Sequence, residues 1–211
     1  MEINRVIGIL KEHVECYKVP TVAKIGEETR DPFRVLVSTI LSARTKDAVT
    51  GAASERLFEV VKTPKDLNNL SVEEISKIIY PVMYYNNKAN FLKQLPSFLK
   101  NGVPDTIEEL LKLPGVGRKT ANLVITVGFN KPAICVDTHV HRITNIWGYV
   151  NTKNPHETEM VLREKLPKEH WNIINHYLVA FGQNLCTPIS PHCSKCPISK
   201  YCEKIGVQKF R

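Results

Sequence analysis

Helix punctuation recurs throughout this chain, whereas the period-two alternation that a half-buried strand requires is nearly absent; together these leave an all-α fold as the consistent reading. Asp31-Pro32 puts an N-cap ahead of a proline at the first helical position. Ser71 with Glu74, Thr106 with Glu109 and Asn154 with Glu157 have capping-box spacing, in which a short polar side chain and a carboxylate three residues on each satisfy an orphan N–H. Gly102 and Gly148 sit where helices should stop, and Pro64, Pro96, Pro104, Pro114, Pro132 and Pro167 subdivide the rest. These signals predict about ten helices and no strand.

Apolar residues keep helical spacing at Ile3, Val6, Ile7, Leu10 and Val14, and Leu110, Leu111 and Leu113 follow later, so these are predicted core positions. With 211 residues, 43% hydrophobic and 24% charged, the chain has the size of one domain or two small lobes and the composition of a globular protein. Ten glycines and thirteen prolines are too few for a collagenous or low-complexity chain. Uncharged apolar stretches such as Leu123 to Phe129 fall short of the roughly 20 residues that a membrane-crossing helix needs. Met1-Glu2-Ile3-Asn4-Arg5 shows no leader pattern, so an intracellular protein, cytoplasmic or at the nucleoid, monomeric and with no membrane partner, is expected. Twenty-nine basic residues against 21 acidic ones leave a net charge of +8, which suits a polyanion such as nucleic acid, though solubility alone is the plainer explanation.

The most informative segment runs from Thr106 to Phe129. A capped helix leads into Leu113-Pro114-Gly115-Val116-Gly117, and Arg118-Lys119-Thr120-Ala121-Asn122 then opens a second helix. Two glycines one residue apart permit a tight turn whose backbone N–H groups lie at a helix N terminus, where a phosphate can be held. A plain interhelical turn would use the same glycines. Lys119 adds what a turn does not need: an amine in the first helical turn feels the positive end of the helix dipole, which disfavours its charged form. A neutral amine is a nucleophile that can attack an electrophilic carbon and hold it as a Schiff base. Arg118 stays protonated and cannot.

Asp137 opens the next helical run, and its default role is an N-cap. Beside a nucleophilic lysine the same carboxylate can stabilise positive charge developing on a sugar, or move protons. His139 and His141, two residues apart, do not share a helix face and read as structural hydrogen-bonding groups.

Cys186, Cys193, Cys196 and Cys202 form the pattern C-x6-C-x2-C-x5-C, enough ligands for one metal centre. Zinc usually presents paired C-x2-C knuckles, and only one such pair is present, so a four-thiolate iron–sulfur cluster fits better, with zinc the runner-up. Lys195, Lys200 and Lys204 make the loop basic, either as phosphate contacts or as ordinary solvated lysines. Cys16 and Cys135 fall outside the pattern and read as plain buried thiols.

In this order along the chain, the features resemble the endonuclease III family of the helix-hairpin-helix DNA glycosylase superfamily. The resemblance is carried by Leu41-Ser42-Ala43, Asn87-Lys88-Ala89, Leu113 to Asn122, Val136-Asp137-Thr138-His139 and the terminal cysteines. It implies an all-α fold of two lobes with duplex DNA bent across the groove between them. The first lobe would be a six-helix barrel over residues 25–134, with the helix-hairpin-helix at about 107–128; the second would join residues 1–24 to 135–211 and carry a [4Fe-4S] loop at 186–202. It also implies a bifunctional enzyme that flips an oxidised pyrimidine out of damaged double-stranded DNA, cuts the glycosidic bond and nicks the strand by β-elimination. Lys119 and Asp137 match the family's Schiff-base lysine and catalytic aspartate. Gly115, Val116 and Gly117 match its phosphate-binding hairpin, which in relatives also holds a monovalent cation.

The chain departs from the family pattern at the positions that fill the vacated base site. Arg44 stands where a glutamine is usual, Tyr84 where a leucine wedges beside the orphan base, and Met83 where a glycine precedes it. Arginine and tyrosine can still hydrogen-bond and stack there, so flipping should survive. Two rivals are a glycosylase without lyase action, against which Lys119 argues, and a non-catalytic DNA-binding protein with a zinc-bound cysteine loop.

Overall fold

The computed structural model describes residues 1–14 and 21–211, so Cys16 lies outside the described residues. The described residues contain no strand. In chain order the α-helices are α1 (Ile3–Val14), α2 (Thr21–Thr29), α3 (Pro32–Ser42), α4 (Asp47–Val60), α5 (Val72–Ile79) and α6 (Tyr85–Phe98). They continue with α7 (Ile107–Leu110), α8 (Arg118–Leu123), α9 (Thr138–Ile146), α10 (Pro155–Lys165) and α11 (Ile174–Asn184). They divide into two compact units: one joins α1 to Pro132–Arg211, and the other holds α2 through α8 and ends at Lys131.

In the unit of α2 to α8, α3 is the central element. Its sequence PFRVLVSTILS is apolar nearly all round, and a helix of that kind is stable only when covered on every side. Val35, Leu36, Val37, Ile40 and Leu41 are accordingly buried, and α2, α4, α6 and α8 all pack on α3. Asp31 caps it, accepting from the Phe33 N–H at 2.9 Å with Pro32 at the first position. Ser71 and Glu74 form the reciprocal box at the start of α5: Ser71 Oγ accepts from the Glu74 N–H at 3.2 Å, and Glu74 Oε2 accepts from the Ser71 N–H at 2.7 Å.

Four local expectations need correction, the first being the box at Thr106: its hydroxyl accepts from the Glu109 N–H at 3.4 Å, but Glu109 Oε1 accepts from Lys112 at 2.6 Å and no reciprocal bond is made. Pro96 does not divide a helix; it lies in the last turn of α6, which runs on only to Phe98, so the proline ends the helix it interrupts. Leu111 is not a core residue: α7 is a single turn, and while Leu110 and Leu113 turn inward, Leu111 stays 37% exposed. Asn154 accepts from the Glu157 N–H at 2.9 Å, but the Glu157 carboxylate reaches the Lys153 N–H at 2.8 Å, one residue short of closing a box.

In the other unit, α1 buries Val6, Ile7, Leu10 and Val14 in one stripe and packs on α11. Trp147 and Phe181 meet at 6.5 Å between ring centroids within the same core. Each large apolar side chain buried this way contributes about 1.5–3 kcal/mol relative to exposure. Close packing of α9 on α11 depends on Gly182, where a Cβ would lie 2.4 Å from Nδ1 of His139. No described helix is long and apolar enough to cross a membrane.

Candidate active site

The hairpin joins α7 to α8. Val116 donates its N–H to the Leu113 carbonyl at 3.2 Å and turns its side chain inward, 8% exposed. Its contribution to a surface is therefore backbone alone. Gly115 has φ +76°, and a Cβ there would stand 2.6 Å from the Phe91 ring of α6, so conformation and packing both demand glycine. Gly117 is different: its backbone is extended at φ −100°, and the space a Cβ would take is open. It caps α8 without contributing a side chain, and Lys119 follows in the first turn, exposed.

Two further turns of the same unit carry Arg44 and Tyr84. Both residues are exposed, and both adopt the left-handed backbone, at φ +58° and +57°. Non-glycine residues rarely sit there, and where they do the surroundings must hold them. Arg56 holds one side of the Tyr84 turn, donating to the Ile78 carbonyl at 2.9 Å and to the Tyr80 carbonyl at 2.5 Å. Lys88 holds the other. It is 5% exposed, and burial pulls its ammonium down to about 8. The sequence signal for Lys88 was a charge on an otherwise apolar helical stripe, Leu92, Leu95 and Leu99. Arg56 left no such signal.

In the unit of α1 and α9 to α11, Asp137 caps α9: one carboxylate oxygen accepts from the N–H groups of His139 at 2.8 Å and Val140 at 3.0 Å. The cap fixes the carboxylate's orientation at a half-buried position. His141 bonds Thr158 Oγ1 at 2.7 Å, and His139 lies 3.5 Å from an Arg142 guanidinium nitrogen; both histidines have structural partners.

Cys186, Cys193, Cys196 and Cys202 line one pocket, whose apolar wall includes Trp147 and Phe181. Burial pushes the Cys196 thiol up to about 11 and raises Cys186 and Cys202 as well. Two donors face the sulfurs: Arg142 Nη1 lies 3.7 Å from Cys186 Sγ, and the Lys204 N–H donates to Cys202 Sγ at 3.4 Å. Among the described residues no group of three or more His, Cys, Asp or Glu side chains is arranged to hold a single metal ion. Cys135 is buried, as expected of a thiol outside the pattern. Lys195 and Lys200 are exposed on the same loop, and Lys200 lies 5.1 Å from the Tyr201 ring centroid.

Residues 37–168 match the family model described as HhH-GPD superfamily base excision DNA repair protein. The chain belongs to that family. Endonuclease III of Thermotoga maritima is 50% identical over 177 residues, covering 82% of this chain and 83% of that protein. A solved endonuclease III–DNA covalent intermediate, trapped in an estranged-adenine complex, superposes with a TM-score of 0.80 at 36% identity, covering 97% of each chain. A thermostable thymine-DNA glycosylase gives 0.76 at 27% identity, over 94% of this chain and 97% of that one. This base excision repair protein is thus a DNA glycosylase with abasic-site lyase action, carried on an all-α scaffold.

Proposed function

We propose that this protein acts in the cell as a monomer on damaged double-stranded DNA, removing oxidised pyrimidines and nicking the resulting abasic strand, with Lys119 as nucleophile and Asp137 as its carboxylate partner. The observation that carries the reading is Lys119 exposed in the first turn of α8, directly after a turn that Gly115 alone can form. The open space over Gly117 lets a phosphate oxygen approach the backbone. Since the Val116 N–H is bonded within the turn, the strand contact falls to Gly117 and the start of α8.

A target carbon stacked in a duplex is out of reach, so the nucleotide must be extruded, at a few kcal/mol that damage lessens. Arg44 and Tyr84 then occupy the gap, one by hydrogen bonding and one by stacking. Lys119 Nζ attacks C1′ through its lone pair, the bond to the base breaks, and the base leaves with the electron pair and takes up a proton. The capped Asp137 carboxylate stabilises the positive charge that develops on the sugar. Opening of the ring gives an imine between Nζ and C1′. Loss of a proton from C2′ expels the 3′ phosphate as the C3′–O bond breaks, and water finally hydrolyses the imine and frees the lysine.

Cys186, Cys193, Cys196 and Cys202 would hold a [4Fe-4S] cluster. Four thiols lining one apolar pocket, with donors facing two of the sulfurs, support a metal centre there, and a spacing with one C-x2-C pair favours a cluster over zinc. Bound there, it would serve as the structural centre of the loop, displacing the thiol protons and presenting Lys195 and Lys200 to phosphates.

Borohydride trapping tests the chemistry. The native chain should form a covalent adduct with an abasic duplex and Lys119→Ala none; no adduct with the native chain, or an undiminished one with the variant, sinks the assignment. A brown protein with broad visible absorbance is expected on purification, and a colourless, zinc-loaded one would overturn the cluster.

A further inference from the structure

We propose that Lys88 is a positioning residue that locks the Arg44 turn to the Tyr84 turn, so that the two side chains enter the duplex as one preorganised unit. This rests on the reading of Arg44 and Tyr84 as the groups that fill the vacated base position.

The bonds made by this one residue reach both turns. Its main-chain N–H donates to the carbonyl of Tyr84 at 3.0 Å. Its ammonium donates to the Leu41 carbonyl at 2.7 Å, to the Ala43 carbonyl at 2.7 Å and to Thr45 Oγ1 at 3.2 Å. Ala43 and Thr45 are the residues on either side of Arg44, and three donors meet three acceptors. Thr45 closes the loop from the other direction: its Oγ1 accepts from the Met83 N–H at 3.2 Å, beside Tyr84.

Stability alone does not call for a lysine here. An apolar side chain would extend the buried stripe of Leu92 and Leu95, whereas a buried ammonium loses its hydration. The oxygens it binds include the last carbonyls of α3, which the helix leaves without partners and which a cation suits. The outcome is two exposed residues held at positive φ, each within one residue of a bond that Lys88 or Thr45 makes. Preorganised groups lose less conformational freedom on insertion than two independent loops would.

The experiment uses the full chain with a thymine-glycol duplex and with a preformed abasic duplex, which has no base to expel. Lys88→Met, and Thr45→Val as a milder variant that keeps the core intact, are each measured alone and in an Arg44→Ala/Tyr84→Ala background. Lys88→Met should slow single-turnover excision at saturating enzyme about tenfold or more, with trapping on the abasic duplex slowed less than about threefold. Thr45→Val should act in the same direction, and in the double-alanine background Lys88→Met should add less than about twofold. Equal losses on both substrates, or a full additional loss in that background, overturn the proposal. If Arg44→Ala/Tyr84→Ala itself leaves excision unchanged, the insertion reading fails instead. The clamp is then judged by hydrogen exchange at the Met83 amide: faster by about tenfold in Lys88→Met supports it, and unchanged exchange refutes it.

Discussion

Arg142 grips Cys186 at two atoms, one guanidinium nitrogen donating to its carbonyl at 2.6 Å and another lying 3.7 Å from its sulfur. Arg142 belongs to α9, the helix that Asp137 caps, and Cys186 opens the cysteine pattern, so one side chain fastens the loop to the element that carries the carboxylate. Arg142→Ala leaves a shielded carbonyl without its charged donor. It should cost about 1–3 kcal/mol in denaturant unfolding. Arg142→Lys keeps the charge but not the forked geometry and should fall between the two. A loss below about 0.5 kcal/mol would show that the pairing is incidental.

Asp137 is both a helix cap and the proposed catalytic carboxylate, and two substitutions separate the roles. Asparagine caps about as well as aspartate, so Asp137→Asn should unfold within about 0.5 kcal/mol of the native chain, whereas Asp137→Ala should lose about 0.5–2 kcal/mol. Single-turnover excision should fall in both by about a hundredfold or more, because neither supplies a negative charge. If activity instead tracked stability, with Asp137→Asn near native, the carboxylate would be structural only.

The hairpin glycines make opposite demands. Gly115→Ala meets a ring at 2.6 Å in a left-handed backbone, and it should destabilise the protein by at least about 1 kcal/mol. Gly117→Ala meets nothing within 4 Å at an ordinary φ, and it should leave the melting temperature nearly unchanged while weakening binding to duplex DNA. Equal effects of the two on melting would contradict that division.

What the sequence reveals here is whatever is local. The caps at Asp31, Ser71, Thr106 and Asn154 all form, because the side chain and the N–H it serves lie within three residues and little else competes. The Gly115 turn and the cysteine spacing are legible for the same reason. Lys88 shows in the sequence only as a charge on an apolar stripe, and the partners of Lys88 and Arg142 do not show at all, because their acceptors lie 43 to 47 residues away and only folding brings them together. The π-turn at Val124–Gly128 is likewise unannounced: it follows α8 inside an apolar run that fits any helical form, and it is set by packing against α2 and α3.

The Ser71–Glu74 box makes a prediction about acid. Glu74 accepts from the Ser71 N–H, and that bond, helped by the Ser71 hydroxyl, holds its carboxyl below the usual value of 4.5. A carboxylate favoured in the folded state releases its proton more readily there than in the unfolded chain. Its contribution is therefore complete above pH 4.5 and disappears as pH falls through the lower folded value. Glu74→Gln keeps the shape without the charge. Its melting temperature should lie below that of the native chain by a constant amount at neutral pH, and the gap should close under acid. The consequence reaches the site, since α5 leads directly into the turn that presents Tyr84. A gap that stayed constant from pH 7 down to pH 3 would mean that the charge of Glu74 plays no part in the box.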